Sequence, residues 1–398
     1  MAEALWAKDL PLDLQLHRFT VGQDPVTDLQ LMPFDTEGSA AHARMLGATG
    51  LLPEAEARAL VGALRRLRQE ALEGSLVILP EEEDCHTALE HALTERLGDT
   101  GKRIHLGRSR NDQVLTAIRL YLLEASAELA AAAESAATAL DRLAARQGHV
   151  ELPGYTHMQQ AMPSSVALWA GGYASELRDD AAGLLAVRRR AGRNPLGSAA
   201  GYGAPGLPLD RAATTRALGF DSVHEPVTAV QLSRGKAEAQ LLFELTLTMQ
   251  DLGRLAADLL LFYTQEFAFV ALPDAYTTGS SIMPQKRNPD VFELMRGRSA
   301  SAQACLAEAL ALCAKLPSGY QRDLQLLKVP LFRGIDLAQA SLDIVVPALD
   351  ALSFRPERIR LDPAVHAANE AYALVLNEGL PFREAYRRVA ARLQEKKD

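Results

Sequence analysis

The run Gly279-Ser280-Ser281-Ile282-Met283-Pro284-Gln285-Lys286-Arg287-Asn288-Pro289-Asp290 concentrates chemically able side chains in one short stretch. A glycine and two serines read as a mobile loop carrying a hydroxyl. Asn288 then Pro289 reads as a helix N-cap followed by proline at the first helical position. Asp290 and Glu293 fall in the early helix, where acids suit the dipole. Lys286 therefore stands just before a helix N-terminus. With the unpaired N–H groups there it offers a seat for a carboxylate. The competing reading is a capped surface loop.

Three other polar segments interrupt helical patterns. In His105-Leu106-Gly107-Arg108-Ser109-Arg110-Asn111-Asp112, two arginines meet a helix start, which makes either an anion site or an N-cap loop with solvated arginines. Pro153-Gly154-Tyr155-Thr156-His157-Met158-Gln159-Gln160-Ala161-Met162-Pro163 reads as a proline-bracketed loop whose polar groups are costly to bury unless used. His157 is suited to acid or base work near neutral pH, with a structural histidine as the alternative. The segment Tyr320-Gln321-Arg322-Asp323-Leu324-Gln325-Leu326-Leu327-Lys328 has polar groups but no spacing that fixes a role. Gly201-Tyr202-Gly203-Ala204-Pro205-Gly206 matches G-x-G-x-x-G, but no hydrophobic strand precedes it and Pro205 lies inside it, so a loop is expected. No P-loop, HExxH, EF-hand or G-x-S-x-G occurs.

The elements that must position these segments read as helices. Between Pro80 and Pro153 there is no proline, and Leu115, Ile118, Leu122, Ala125, Leu129, Ala132, Ala136, Ala139 and Leu143 form an apolar heptad seam. A helix over 111–148 would span roughly 55 Å at about 1.5 Å per residue. A second long pattern over 233–266 carries Leu241, Leu245, Leu252, Leu255, Leu259 and Phe262, with Leu242, Met249, Ala256 and Tyr263 on another face; such a helix is buried. Helical patterns also lie at 54–73, 164–190, 290–315 and 333–352, and weak strand signals at 76–79 and 267–272. Helices this long point to an oligomer whose central helices pack between chains; a monomeric bundle with kinked helices is the alternative. Three regions suggest themselves: a helical head over 1–106, a long-helix body over 107–353 and a short tail over 354–398 ending in Arg392, Glu395, Lys396, Lys397 and Asp398, which read as solvated.

The 398 residues are 48% hydrophobic and 23% charged, ordinary for a soluble globular protein, and 6% aromatic, so the core rests on Leu, Ala and Val. A net charge of −8 argues against a nucleic-acid surface, though a few convergent cations in a cleft still suit an anionic substrate. Cys85, Cys305 and Cys313 form no CxxC, which suggests neither a zinc cage nor a disulfide framework and fits a cytoplasmic home. Residues 1–16 lack the charged-then-apolar order of a signal peptide, and no apolar run approaches a membrane span.

Taken together, the segments resemble the fumarase/aspartase superfamily, whose signature G-S-S-x-M-P-x-K-x-N-x-x-x-x-E is met in full from Gly279 to Glu293. Within it, Met-Pro-Gln-Lys-x-Asn-Pro-Asp at 283–290, Gly-Arg-Ser-Arg-Asn-Asp-Gln-Val at 107–114 and Gly-Tyr-Thr-His at 154–157 are similar to the argininosuccinate lyase/δ-crystallin family. Asp84-Cys85-His86-Thr87 and the run from Ser39 to Leu46 are similar as well, and the likeness covers nearly the whole chain in the family's order.

The resemblance implies an all-α fold of three helical domains around long central helices, assembled as a homotetramer whose active sites each draw segments from three chains. It implies β-elimination of argininosuccinate to arginine and fumarate, a step of arginine biosynthesis, with no metal or organic cofactor and no nucleic-acid or membrane partner. By the same resemblance Ser280 is the proton-abstracting base, which needs N–H donors or Lys286 to hold its alkoxide. His157 is the general acid and Glu293 its orienting partner. Lys286 and Asn288 take the succinyl carboxylate. Asn111, Thr156, Tyr320, Gln325 and Lys328 match substrate-binding positions, with His86 and Arg110 as further contacts. The nearest alternatives are another fumarate-releasing lyase, such as adenylosuccinate lyase, and a non-catalytic crystallin-like relative.

The chain departs from the family in places. Leu106 stands where threonine is usual. The stretch from Phe19 to Asp35 has no clean match to the family's Asn-Ala-Ser-Ile-like segment, so its substrate-binding serine has no counterpart assigned. Around Ser233-Arg234-Gly235 the acid that usually follows the arginine is missing, and the chain stops soon after 381–385, where family members continue.

Overall fold

The computed structural model describes residues 13–79 and 81–395. The signal-peptide reading of 1–16 therefore falls mostly outside the described residues, as do Pro80, Lys396, Lys397 and Asp398. The main elements are α1 (Leu14–Val21), α2 (Met32–Ala48), α3 (Glu54–Leu72), α4 (Cys85–Leu97), α5 (Arg110–Gln147), β1 (Glu151–Thr156), β2 (Gln159–Ser165), α6 (Val166–Ala186), α7 (Lys236–Tyr263), α8 (Asp290–Cys313), α9 (Lys328–Ala351), α10 (Ala367–Glu378) and α11 (Phe382–Glu395). Among the described residues the regular structure is helical apart from short two-stranded pairings. It divides into one unit of residues 1–130, 182–246 and 301–338 and a second of 131–181, 247–300 and 339–398.

The heptad seam does what its spacing predicts. In α5, which is 38 residues long, every seam residue is buried except Ala132, which is half-buried. In α7 the leucines of both apolar faces and Met249, Ala256 and Phe262 are buried. Among the described residues no helix is long and apolar enough to cross a membrane.

The first unit is centred on α2 to α4. Leu60, Leu64 and Leu67 of α3 meet Ala43, Leu46 and Leu89 in one buried cluster. The helices approach so closely that a Cβ on Gly47 would lie 2.7 Å from that of Ala57, so only glycine fits there. In the second unit, Trp169 packs on Phe262 and Phe354, and Phe262 on Phe269. Asp258 accepts hydrogen bonds from Trp169 Nε1 at 3.0 Å and the Tyr173 hydroxyl at 2.8 Å, which satisfies both aromatic donors. α10 and α11 pack through Ala371, Ala385 and Val389, while Arg392 stays exposed and pairs at the surface with Glu370.

Two local expectations are corrected. The proline-bracketed segment is not a loop but an antiparallel hairpin in which Pro153 and Pro163 face each other across β1 and β2. A two-stranded ribbon is all edge, so neither proline interrupts a ladder on both sides. The strand signal at 76–79 forms no strand, and that at 267–272 shrinks to Val270–Ala271 paired with Ser353–Phe354. The glycine-rich run at 201–206 is a loop, with Gly201, Gly203 and Gly206 all at positive φ.

Candidate active site

In the first unit, His86, Arg110, Asn111, Tyr320, Gln325 and Lys328 line one open cleft with a cavity volume of about 150 Å³. These six come from α4, the start of α5, and the segment that leads through a 3-10 turn (Arg322–Leu327) into α9. That segment, uninformative as sequence, thus supplies three of the cleft's lining residues.

Lys328, the first residue of α9, is buried, with its Nζ 2.8 Å from Asp24 and 2.5 Å from Asp28. Burial opposes its charge, but the two carboxylates more than compensate and raise its pKa. Burial, only partly offset by Lys328, pushes the Asp24 carboxyl up to about 6. His86 donates through Nδ1 to the Asp35 carboxylate at 2.8 Å, and that carboxylate outweighs burial to raise the imidazole's pKa. The Gln325 side-chain amide donates to the carbonyls of Thr20 and Val21, closing the C-terminal end of α1, while its oxygen accepts from Arg322.

The expected anion site at the start of α5 is already filled by the protein's own groups. Asp112 accepts from the Ser109 N–H at 2.9 Å, and Ser109 Oγ accepts from the Asn111 N–H at 3.3 Å. Arg110 pairs with Glu83 at 3.1 Å and Asp84 at 3.3 Å. Arg108 is not solvated but buried, donating to Ser39 Oγ at 2.7 Å.

The second unit holds Thr156, His157, Ser280, Lys286, Asn288 and Glu293. Thr278 and Asn288 exchange backbone hydrogen bonds of 3.0 and 2.8 Å, forming a bridge that closes the loop between them. Inside it, Ser280 Oγ accepts from the N–H groups of Met283 at 3.1 Å and Ile282 at 3.3 Å. Two backbone N–H groups thus converge on the hydroxyl oxygen. α8 begins at Asp290, one residue later than expected, so Pro289 takes the cap position. Asn288 instead donates its amide back to Thr278 Oγ1 and the Gly279 carbonyl, and Thr278 donates to the Asp290 carboxylate.

Thr156 ends β1, and His157 and Met158 form the two-residue turn of the hairpin. Both have positive φ, 52° and 60°, as a type I′ turn demands. The turn leaves His157 and Thr156 exposed, as are Lys286 and Glu293. Among the described residues no hydrogen bond or ion pair joins His157 to Glu293 within the chain.

Asp28, Cys85 and His86 place candidate metal-ligand atoms within 4.8 Å of one another. Asp28 is committed to Lys328 and His86 to Asp35, and burial pushes the Cys85 thiol up, away from the thiolate a metal would need. Sequence reasoning missed the cleft's Asp24, Asp28, Glu83 and Arg234. The one available signal was that Asp24, Asp28 and Arg234 lie where the family likeness lapses.

A family model described as a lyase matches residues 18–304. The chain is 47% identical over 395 residues to argininosuccinate lyase of Sorangium cellulosum, covering 99% of this chain and 91% of that one. It is 45% identical to argininosuccinate lyase of Stenotrophomonas maltophilia, covering 98% and 91%. Its fold is similar to an EDDS lyase variant with bound fumarate (TM-score 0.79, 25% identity, 94% of this chain and 74% of that one). A class II fumarase from Schistosoma mansoni shares the fold as well (TM-score 0.78, 18% identity, 97% and 91%). The fold is that of the fumarase/aspartase superfamily. The chain belongs to its argininosuccinate lyase family.

Proposed function

We propose that the protein catalyses the reversible β-elimination of argininosuccinate to L-arginine and fumarate. The observation that carries the chemistry is Ser280 Oγ accepting two backbone N–H bonds on an exposed loop. Those donors favour the alkoxide over the hydroxyl, which turns a poor base into a usable one. The near-full-length likeness to argininosuccinate lyases supports the choice of substrate.

In this reading Ser280 removes the proton next to the succinyl carboxylate. Lys286 and Asn288 hold that carboxylate while its charge grows. His157 protonates the guanidinium nitrogen as the C–N bond breaks, and Glu293 supports the imidazolium. Asn111, Tyr320, Gln325, Lys328, His86 and Arg110 bind the remainder of the substrate with Thr156.

The assembly is a homotetramer in the cytoplasm, its three-region chains sharing active sites. Large apolar side chains exposed on the long helices support this, among them Leu168, Leu185, Phe243, Leu294 and Leu310. An exposed His157 and Glu293, unpaired with each other in one chain, also suit a site completed by neighbouring chains.

Purified protein should release fumarate from argininosuccinate, followed by rising ultraviolet absorbance. Release from adenylosuccinate instead would overturn the substrate. Inactivity on every fumarate-yielding substrate would favour a structural, crystallin-like role.

A further inference from the structure

Asn288 can meet a carboxylate only with the N–H end of its amide, because the carbonyl end offers lone pairs to lone pairs. The two ends have nearly the same shape, so packing alone does not decide which one faces the site. A chain of hydrogen bonds in the second unit decides it. The Asn288 amide nitrogen lies 3.3 Å from Thr278 Oγ1 and 3.5 Å from the Gly279 carbonyl, and the Thr278 hydroxyl meets the Asp290 carboxylate.

The direction of each bond follows from Asp290. A carboxylate accepts and does not donate, so the Thr278 proton points to Asp290. Thr278 Oγ1 then has only lone pairs left and takes a donor from Asn288, never an acceptor. The Gly279 carbonyl, also an acceptor, agrees with that orientation. The amide nitrogen is thereby held beside the residue that precedes Ser280. Its contact with Gly279 is longer than an ordinary N–H···O bond, so that N–H is the one a carboxylate takes over. The backbone bonds between Thr278 and Asn288, 3.0 and 2.8 Å long, keep the two side chains in register.

Resting on the lyase reading for the identity of the carboxylate, we infer that Asp290 and Thr278 are positioning residues that set the polarity of the Asn288 amide. Through them the loop presents an N–H donor, not an oxygen, to the succinyl carboxylate. Neither residue stands among the groups implied by the family likeness.

Calorimetric titration of the assembled protein with fumarate reads carboxylate capture without turnover. Thr278→Val keeps the shape of the side chain and removes the hydroxyl. Asp290→Asn still suits a helix start but both donates and accepts, which frees the direction of the Thr278 proton. Each should weaken fumarate binding by about 10- to 100-fold, as for loss of a hydrogen bond to a charged group. KM for argininosuccinate should rise in parallel while kcat changes by less than about threefold, since neither residue bonds to Ser280. Thr278→Ser, which keeps the hydroxyl, should restore wild-type binding. In an Asn288→Ala background Thr278→Val should cost nothing further, because it acts through the amide. Asp290→Asn stands in if Thr278→Val does not fold. Folded variants that bind fumarate as the wild type does, additive losses with Asn288→Ala, or a fall in kcat at unchanged KM would each overturn the inference, as would a wild type that binds no fumarate. Fumarate release from argininosuccinate alongside unchanged variant binding would overturn it and leave the lyase reading intact. The expected pattern of binding in a protein that releases no fumarate from any substrate would uphold the relay and sink the lyase reading.

Discussion

Asp35 Oδ2 lies 2.8 Å from His86 Nδ1, with both side chains almost fully sealed from solvent at 1% and 4% exposure. Asp35 also accepts from Gln113 Nε2 and from Ser39 Oγ, itself held by Arg108. His86 thus reaches the cleft from a fixed mount. Asp35→Asn leaves a buried imidazole without its counter-charge and should destabilise the protein by about 3 kcal/mol or more, read from urea unfolding.

The same pair fixes a pH window. His86 has a raised pKa in the fold, so its contribution is complete below the ordinary histidine value and fades as pH rises through the raised one. Asp35 is lowered, despite burial, by His86; its contribution is present above the ordinary carboxylate range and is lost as pH falls through the lowered value. The stability gap between wild type and Asp35→Asn should therefore be widest in mildly acidic solution and narrow toward alkaline pH. A gap that stays constant from pH 5 to pH 9 would contradict the pairing.

Asp24 titrates near 6, held there by burial against the pull of Lys328 and with the push of Asp28 and Asp84. Because its pKa is raised in the fold, ionising Asp24 costs stability as pH climbs from the ordinary carboxylate range through about 6, and Asp24→Asn should flatten that part of the pH–stability profile. An unchanged profile in the variant would assign the titration to another group.

Ser280→Ala removes the acceptor of two N–H bonds from a loop that packs little core. Turnover should fall by about a thousandfold or more, while the unfolding free energy changes by less than about 0.5 kcal/mol. A near-normal rate would end the assignment of Ser280 as base.

The hairpin turn separates conformation from chemistry. Met158 has φ 60°, which glycine adopts without strain, so Met158→Gly should stabilise the turn by about 1 kcal/mol. His157→Asn keeps a residue tolerant of positive φ but removes the proton donor. It should preserve the melting midpoint and lower kcat by about 10²- to 10⁴-fold.

The long helices were legible in the sequence because one periodic seam specifies them; Leu115 to Leu143 needs no distant partner to be recognised. The hairpin was not. Pro153 and Pro163 argue against strands locally, and only their cross-strand pairing shows that each lies on an edge. The chemistry of 279–293 was readable because its groups are contiguous. The cleft was only half readable: Asp24, Asp28, Arg234 and Lys328 are polar residues that acquire meaning from distances of a few ångströms across some 300 positions of chain.

The bridge between Thr278 and Asn288 makes residues 279–287 a cassette with a stapled base. Because the staple holds both ends, the entropy of closing the loop is met by backbone bonds rather than by the residues inside it. Tip side chains such as Ile282, Gln285 and Arg287, all exposed, are then exchangeable without disturbing α8. A lineage could retune what the loop touches while leaving its base untouched, and an engineer could transplant 278–288 as one piece between scaffolds that preserve the staple.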